Sequence, residues 1–170
     1  MRHPRNDRML TREQLAAAIE SGEVDSVILA FTDMHGRLQG KVVHGRFFLD
    51  SVMEHGAEAC NYLLAVDTDM NTVGGYRVSS WDTGYGDMAF DMDRDTIRRV
   101  PYLEKTVMIQ SDLQFTDGRP VPVSPRGILR AQRQKANEMG FQALAGTELE
   151  FVMYNTSYED AQASGYQDLT

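Results

Sequence analysis

Three prolines fall within six residues in Pro120-Val-Pro-Val-Ser-Pro125, and this run restricts the fold more than any other feature. Proline has no backbone N–H to give and its ring fixes φ, so the run is neither a central strand nor a helix interior. It reads as a hinge between a first domain over residues 10–118 and the beginning of a second over 119–170. Ser124 followed by Pro125 is an N-cap and N1 pair, which predicts a helix from Pro125 to Met139 ending at Gly140. A strand is expected from Phe141 to Tyr154, then a helix from about Tyr158 to Ser164. One helix, one strand and part of another helix do not make a layered core, so the second domain reads as incomplete.

The first domain is written in short alternating elements. The polar stretch Met1 to about Met9 reads as a flexible arm. Thr11 can cap a helix, with Gln14 reaching back as the capping-box partner and Leu10 stapling onto Leu15. Ala16 and Ile19 continue its apolar stripe and Gly22 stops it. From Asp25 to Thr32 the period shortens to two, with Val27, Leu29 and Phe31 on one face, as a strand requires. Asp33-Met34-His35-Gly36 turns the chain, and Leu38 to His44 returns as a second strand. A second helix is expected over 45–54, with Phe48, Leu49, Val52 and Met53 inward and Gly56 closing it. Strands follow near Met88–Met92 and over Thr106–Phe115, with a turn at Asp117-Gly118. Between them, Asp67 to Asp87 is rich in Asp, Gly and Ser and poor in aliphatics. Long loops of this kind inside compact domains are uncommon and often functional.

Charge and cysteine content exclude several classes of function. The net charge is −8 with a sequence pI of about 4.9, which argues against a phosphate-facing surface for nucleic acid and against an electrostatic membrane anchor. No apolar run approaches the roughly 20 residues that span a bilayer, and the polar N-terminus lacks the apolar core of a signal peptide. The cytoplasm is the expected compartment. Cys60 is the one cysteine; it offers no internal disulfide and no zinc framework, and its apolar neighbours suit a structural thiol better than a nucleophile. The histidines (His3, His35, His44, His55) lack metal-ligand spacing. Gly74-Gly75 alone makes no phosphate cradle.

The pair Glu148 and Glu150 carries the chemistry. On a strand the two share one face with Cα atoms roughly 6.5–7 Å apart, while Leu149, Phe151 and Met153 occupy the packing face. That spacing suits two hard cations side by side, each taking oxygen ligands. On spacing alone the signal is weak, because two Glu at i and i+2 on a strand are more often a solvated sheet face.

The surroundings shift that balance. Gly146-Thr-Glu-Leu-Glu-Phe151, entered from a helix begun by Ser124-Pro125-Arg126, resembles the start of the catalytic domain of the glutamine synthetase superfamily. Phe31-Thr-Asp-Met-His-Gly-Arg37 is similar to that family's first hairpin, and Gly84-Tyr-Gly-Asp-Met88 followed by Asp93 matches a further segment. Ser111-Asp-Leu113 fits as well. Tyr158 to Leu169 resembles a linker found in members that act on amines other than ammonia. The resemblance runs from about residue 10 to 170 and implies an α+β fold: a β-grasp-like N-terminal domain followed by the start of the α/β catalytic domain.

It also implies an activity. Members use ATP to phosphorylate the γ-carboxylate of glutamate, and ammonia or an amine then attacks the acyl phosphate. By position, Glu148 and Glu150 correspond to two carboxylates that hold the family's two Mg²⁺ or Mn²⁺ ions. Asp69, five residues before Gly74, falls where ammonia-using members carry an Asp that helps deprotonate ammonium. Here it is followed by Met70-Asn71-Thr72 rather than the family's Gly-Ser-Ser, so turn geometry alone is an equal reading of Asp69. Members assemble as homo-oligomers of two stacked hexameric rings, with each active site shared between neighbouring subunits. A family-like protein that no longer catalyses, serving assembly or metabolite sensing, is the alternative. No ATP- or glutamate-binding residue is identified in this sequence.

Overall fold

The structure, a computed structural model, describes residues 9–82 and 84–170. The expected arm over 1–9 lies outside the described residues except for Met9, which bridges to Arg98. The chain opens with a helix at Arg12–Glu20 and strands β1 (Ser26–Thr32) and β2 (Leu38–His44). Strands β3 (Glu58–Cys60), β4 (Asp87–Met92), β5 (Arg98–Arg99) and β6 (Thr106–Phe115) complete a sheet of order β2-β1-β6-β4-β3, with β5 on β6. The β1–β6 pairing is parallel and the other pairings are antiparallel. Helices and a mixed sheet in this arrangement make an α+β fold of the β-grasp-like kind. Among the described residues no helix is long and apolar enough to cross a membrane.

Local signals produced most of these elements. Thr11 caps the first helix in a complete capping box: Gln14 N–H donates to Thr11 Oγ1 at 3.2 Å, and Thr11 N–H donates to Gln14 Oε1 at 2.8 Å. The buried stripe is Leu15, Ala18 and Ile19; Ala16, expected to carry it, is only half-buried because at i+1 from Leu15 it lies off the i, i+3, i+4 face. Residues 45–55 are helical but not uniformly so, with a π-helical turn at Phe48–Val52 between two short α-helical turns. Phe48 and Val52, four residues apart on one face, are both in the core.

Alternation along β1 and β6 builds that core. Val27, Leu29, Val107 and Ile109 meet Leu15, Ile19, Phe48 and Val52 beneath the two helices. Further along the same strands, Phe31 and Leu113 join Met88, Phe90 and Val121. The Phe31 and Phe90 rings meet tilted by 45°, with centroids 5.7 Å apart, and burying a side chain of that size stabilises by roughly 2–3 kcal/mol. Cys60 sits half-buried on the edge strand β3.

The Pro120–Pro125 run forms no regular strand or helix before Pro125, but Pro120 bridges to Gln114, and Val121 donates its N–H to the Leu113 carbonyl and is buried in the core. Ser124 Oγ accepts from Gly127 N–H at 3.4 Å and the helix runs Pro125–Glu138, closed by Gly140 at φ +85°. Two ion-paired arginines tie this helix back to the sheet. Arg126 pairs with Asp93 and, at 2.9 Å, with Asp112; Arg130 also reaches both carboxylates. Burial opposes ionisation of Asp93, but the hydrogen bond and charge of Arg126 outweigh it and hold its pKa below the usual carboxylate value.

One expected element is absent. Residues 141–154 form no strand, and the side chains from Phe141 to Tyr154 are all exposed, Leu149 at 93%. A strand exists only through hydrogen bonds to a neighbour, and no described segment runs beside this one. The face reserved for packing (Leu149, Phe151, Met153) is therefore left exposed. The final helix forms at Tyr158–Ala163, capped by Ser157.

Candidate active site

The β1–β2 turn and the acidic loop are joined through one buried carboxylate. Asp33 is 1% exposed. It accepts from the backbone N–H groups of His35 and Arg37 at 2.8 and 2.9 Å, from Arg37 Nε at 2.8 Å and from Gln39 Nε2 at 3.0 Å. The two backbone bonds are the local part, a side chain closing its own turn. The guanidinium of Arg37 then reaches 30 residues along the chain, donating to the Thr68 carbonyl at 2.9 Å and the Asp67 carbonyl at 3.2 Å. His35 Nε2 lies 3.3 Å from the Val66 carbonyl.

Asp67 organises the loop from inside. Its carboxylate accepts from the N–H groups of Asp69 and Asn71, both at 2.9 Å, and from the Asn71 amide at 3.2 Å. Its own N–H donates to the Asn71 carbonyl, and Val66 bridges to Thr72. Residues 67–71 therefore form a closed tip, with Met70 at φ +67° and Asp69 exposed on it. The backbone N–H of Asn71 leads a set of donors, with Arg37 nearby, that lowers the pKa of Asp67.

Burial works against the charge on Asp33, but the Gln39 and Arg37 side chains and the two backbone donors overcome it and bring its pKa down from 3.8 to about 2. A carboxylate with a depressed folded-state pKa adds stability above its unfolded value, and that stability is lost as pH falls through the folded one. The interval here is from about pH 4 down to about pH 2, and the contribution is about 2 kcal/mol. Denaturant unfolding of the wild type and of Asp33→Asn should therefore differ by about 2 kcal/mol less at pH 2 than at pH 5. A gap unchanged across that interval would contradict an ionised, fully bonded Asp33.

The residues anticipated from sequence are not gathered into one place. Asp69 stands at the exposed loop tip. Glu148 and Glu150 lie on the unpaired 141–154 segment, exposed, and neither makes a hydrogen bond or ion pair with a described residue. Among the described residues no three His, Cys, Asp or Glu side chains are placed to hold a metal ion. Two carboxylates supply donors of the right hardness for Mg²⁺, but Mg²⁺ demands octahedral coordination. A complete centre needs donors beyond those this chain brings together. An open hollow of about 580 Å³ lined by Phe151, Met153, Tyr154, Tyr158 and Tyr166 is apolar and includes none of the three acids.

Asp33, Arg37 and Gln39 were not singled out by sequence as site residues. The Asp-x-x-Gly turn signal was visible, but the bonds from Arg37 to Asp67 and Thr68 depend on the tertiary approach of two loops. The same holds for Asp93 and Asp112, which acquire their partners only when the Pro125–Glu138 helix docks.

No family model matches the chain. It is 54% identical over 158 residues to a γ-glutamylethanolamide synthetase, GlnA4, of Streptomyces coelicolor, covering 93% of this chain and 34% of that protein. It is 32% identical over 151 residues to a glutamate–isopropylamine ligase of a Pseudomonas species, covering 89% of this chain and 33% of the relative. The chain thus spans about a third of the length of these curated relatives. Among solved structures, a glutamine synthase homologue superposes on 68% of this chain with TM-score 0.57, and a GmaS/ADP complex on 74% with TM-score 0.55, each at 21% identity. Those two likenesses concern the fold, which matches the sheet and helices described above. The sequence relatives, with the motifs from Phe31 to Phe151, place the chain in the glutamine synthetase superfamily.

Proposed function

We propose that the full protein is an ATP-dependent ligase that joins the γ-carboxylate of glutamate to ammonia or an amine through a γ-glutamyl phosphate. The observation that carries this reading is the 54% identity, over 93% of the chain, to a γ-glutamylethanolamide synthetase. In the first step the γ-carboxylate oxygen attacks the terminal phosphorus of ATP and ADP leaves. In the second the amine nitrogen attacks the acyl carbon, phosphate leaves, and the amine gives up a proton. Bound Mg²⁺ or Mn²⁺ would neutralise phosphate charge.

The chain's own residues have limited, nameable parts in this scheme. Glu148 and Glu150 would hold metal, once donors from elsewhere complete the coordination. Pairing of residues 141–154 with further strands would bury Leu149, Phe151 and Met153 and turn both carboxylates to one side. Asp69 would attract a cationic amine and accept its proton. The Asp67–Asp87 loop would face the metal site of a neighbouring subunit in a homo-oligomer of two hexameric rings. The division into a domain over 10–118 and a second beginning at 119 belongs to the same reading. So does a cytoplasmic location, where ATP and glutamate are supplied.

The test is phosphate release by the full-length protein given ATP, glutamate and Mg²⁺ with a panel of ammonia, ethanolamine and polyamines. Amine-dependent release is the expected outcome. No release with any amine would sink the ligase reading and favour an inactive assembly or metabolite-sensing role.

A further inference from the structure

We infer that Asp33 and Arg37 are positioning residues for the acidic loop tip, fixing where Asp69 stands and so how tightly the amine is held. The inference rests on the ligase reading above, and the geometry beneath it is independent of that reading.

Nothing apolar holds the loop in place. From Thr68 to Arg77 every side chain is exposed, and burial resumes only at Val78 and Ser79. A segment with no hydrophobic anchor keeps a single conformation only if polar contacts impose one. Some close the tip on itself, from Asp67 to Asp69 and Asn71, and those that fix the tip against the sheet come from the β1–β2 turn. If Asp33 served the turn alone, the bonds from His35 N–H and Arg37 N–H would suffice. Instead its second oxygen holds Arg37 Nε and Gln39 Nε2. With Nε anchored, the two terminal nitrogens of Arg37 are aimed at two successive loop carbonyls. The planar guanidinium can make all three bonds at once, and a lysine ammonium on a flexible stem cannot. The relay is continuous: Asp33 fixes Arg37, Arg37 fixes the Asp67–Thr68 backbone, and the Asp67 carboxylate takes the Asp69 N–H.

Asp33 touches neither amine nor metal in this scheme, so its substitution should act on amine binding through the loop. In the full-length protein, Asp33→Asn and Arg37→Lys are each expected to raise KM for the amine about tenfold or more, with KM for ATP and glutamate within about twofold of wild type. Arg37→Ala should do at least as much as Arg37→Lys. Backbone amide exchange of residues 67–71 should accelerate about tenfold or more in the same variants, while β6 amides stay unchanged.

Equal rises in KM for all three substrates, or an amine KM that does not move in an active enzyme, would overturn the inference. So would unchanged exchange at 67–71. If the wild type releases no phosphate with any amine, the ligase reading has failed, and the exchange experiment alone decides whether the clamp holds the loop. If Asp33→Asn does not fold, Arg37→Lys carries both measurements, since it keeps the charge beside Asp33 while losing the fork.

Discussion

Replacing Glu150 with alanine in the full-length protein should cut amine-dependent phosphate release by about a thousandfold or more while leaving the fold untouched. The size of the effect follows from the role proposed for the metal. A divalent ion that offsets developing phosphoryl charge contributes several kcal/mol at the transition state, and each 1.4 kcal/mol is about tenfold in rate. An unchanged fold is expected because, on the pairing proposed above, Glu150 lies on the face opposite Leu149, Phe151 and Met153, so its truncation leaves the packing face intact. Steady-state release at saturating ATP, glutamate and amine, alongside thermal unfolding, measures both. Full activity in a stably folded Glu150→Ala enzyme would return the Glu148/Glu150 pair to the solvated face that spacing alone allowed.

Gly40→Ala should have the largest effect on stability of any single methyl added to this chain's glycines. Gly40 sits on β2 opposite Ala30, with φ +156°. A Cβ at this position would lie 1.8 Å from the Leu29 carbonyl oxygen and 2.9 Å from its carbon. Both are backbone atoms of a fully buried strand residue, so no side chain can rotate aside. Relief requires β1 and β2 to separate locally, which breaks ladder bonds next to the turn that carries Asp33. A loss of about 3–5 kcal/mol is expected, a large part of the 5–15 kcal/mol that a domain usually has. Gly74→Ala is the matched control: an added Cβ there meets nothing within 4 Å, and its φ is ordinary. It should shift stability by no more than about 0.5 kcal/mol. Equal denaturation midpoints for the two variants would show that β2 does not approach Leu29 as described.

The contrast between these two glycines shows where sequence reading stopped. Gly74 stood out because it is next to Gly75 in a loop, and it has open space around it. Gly40 looked like a strand residue of no special note, and its need for hydrogen at Cα comes from the carbonyl of another strand. Glu148 and Glu150 illustrate the opposite limit. Their motif was legible as a family resemblance, yet the strand expected to present them does not form among the described residues, because a strand needs a partner and alternation along one segment cannot provide it.

What the sequence determined by itself was everything governed by neighbours within a few residues. The capping box at Thr11, strands over the β1 and β6 segments and the Ser124-Pro125 helix start all appear where the residues require them. Only the tertiary structure decided the parallel β1–β6 pairing, the burial of Asp33, the reach of Arg37 to a loop 30 residues away and the ion pairs of Arg126 and Arg130. The physical reason is the range of the forces involved. Capping and periodicity are settled by the chain's own local geometry, whereas a buried carboxylate is tolerable only after distant donors have converged on it.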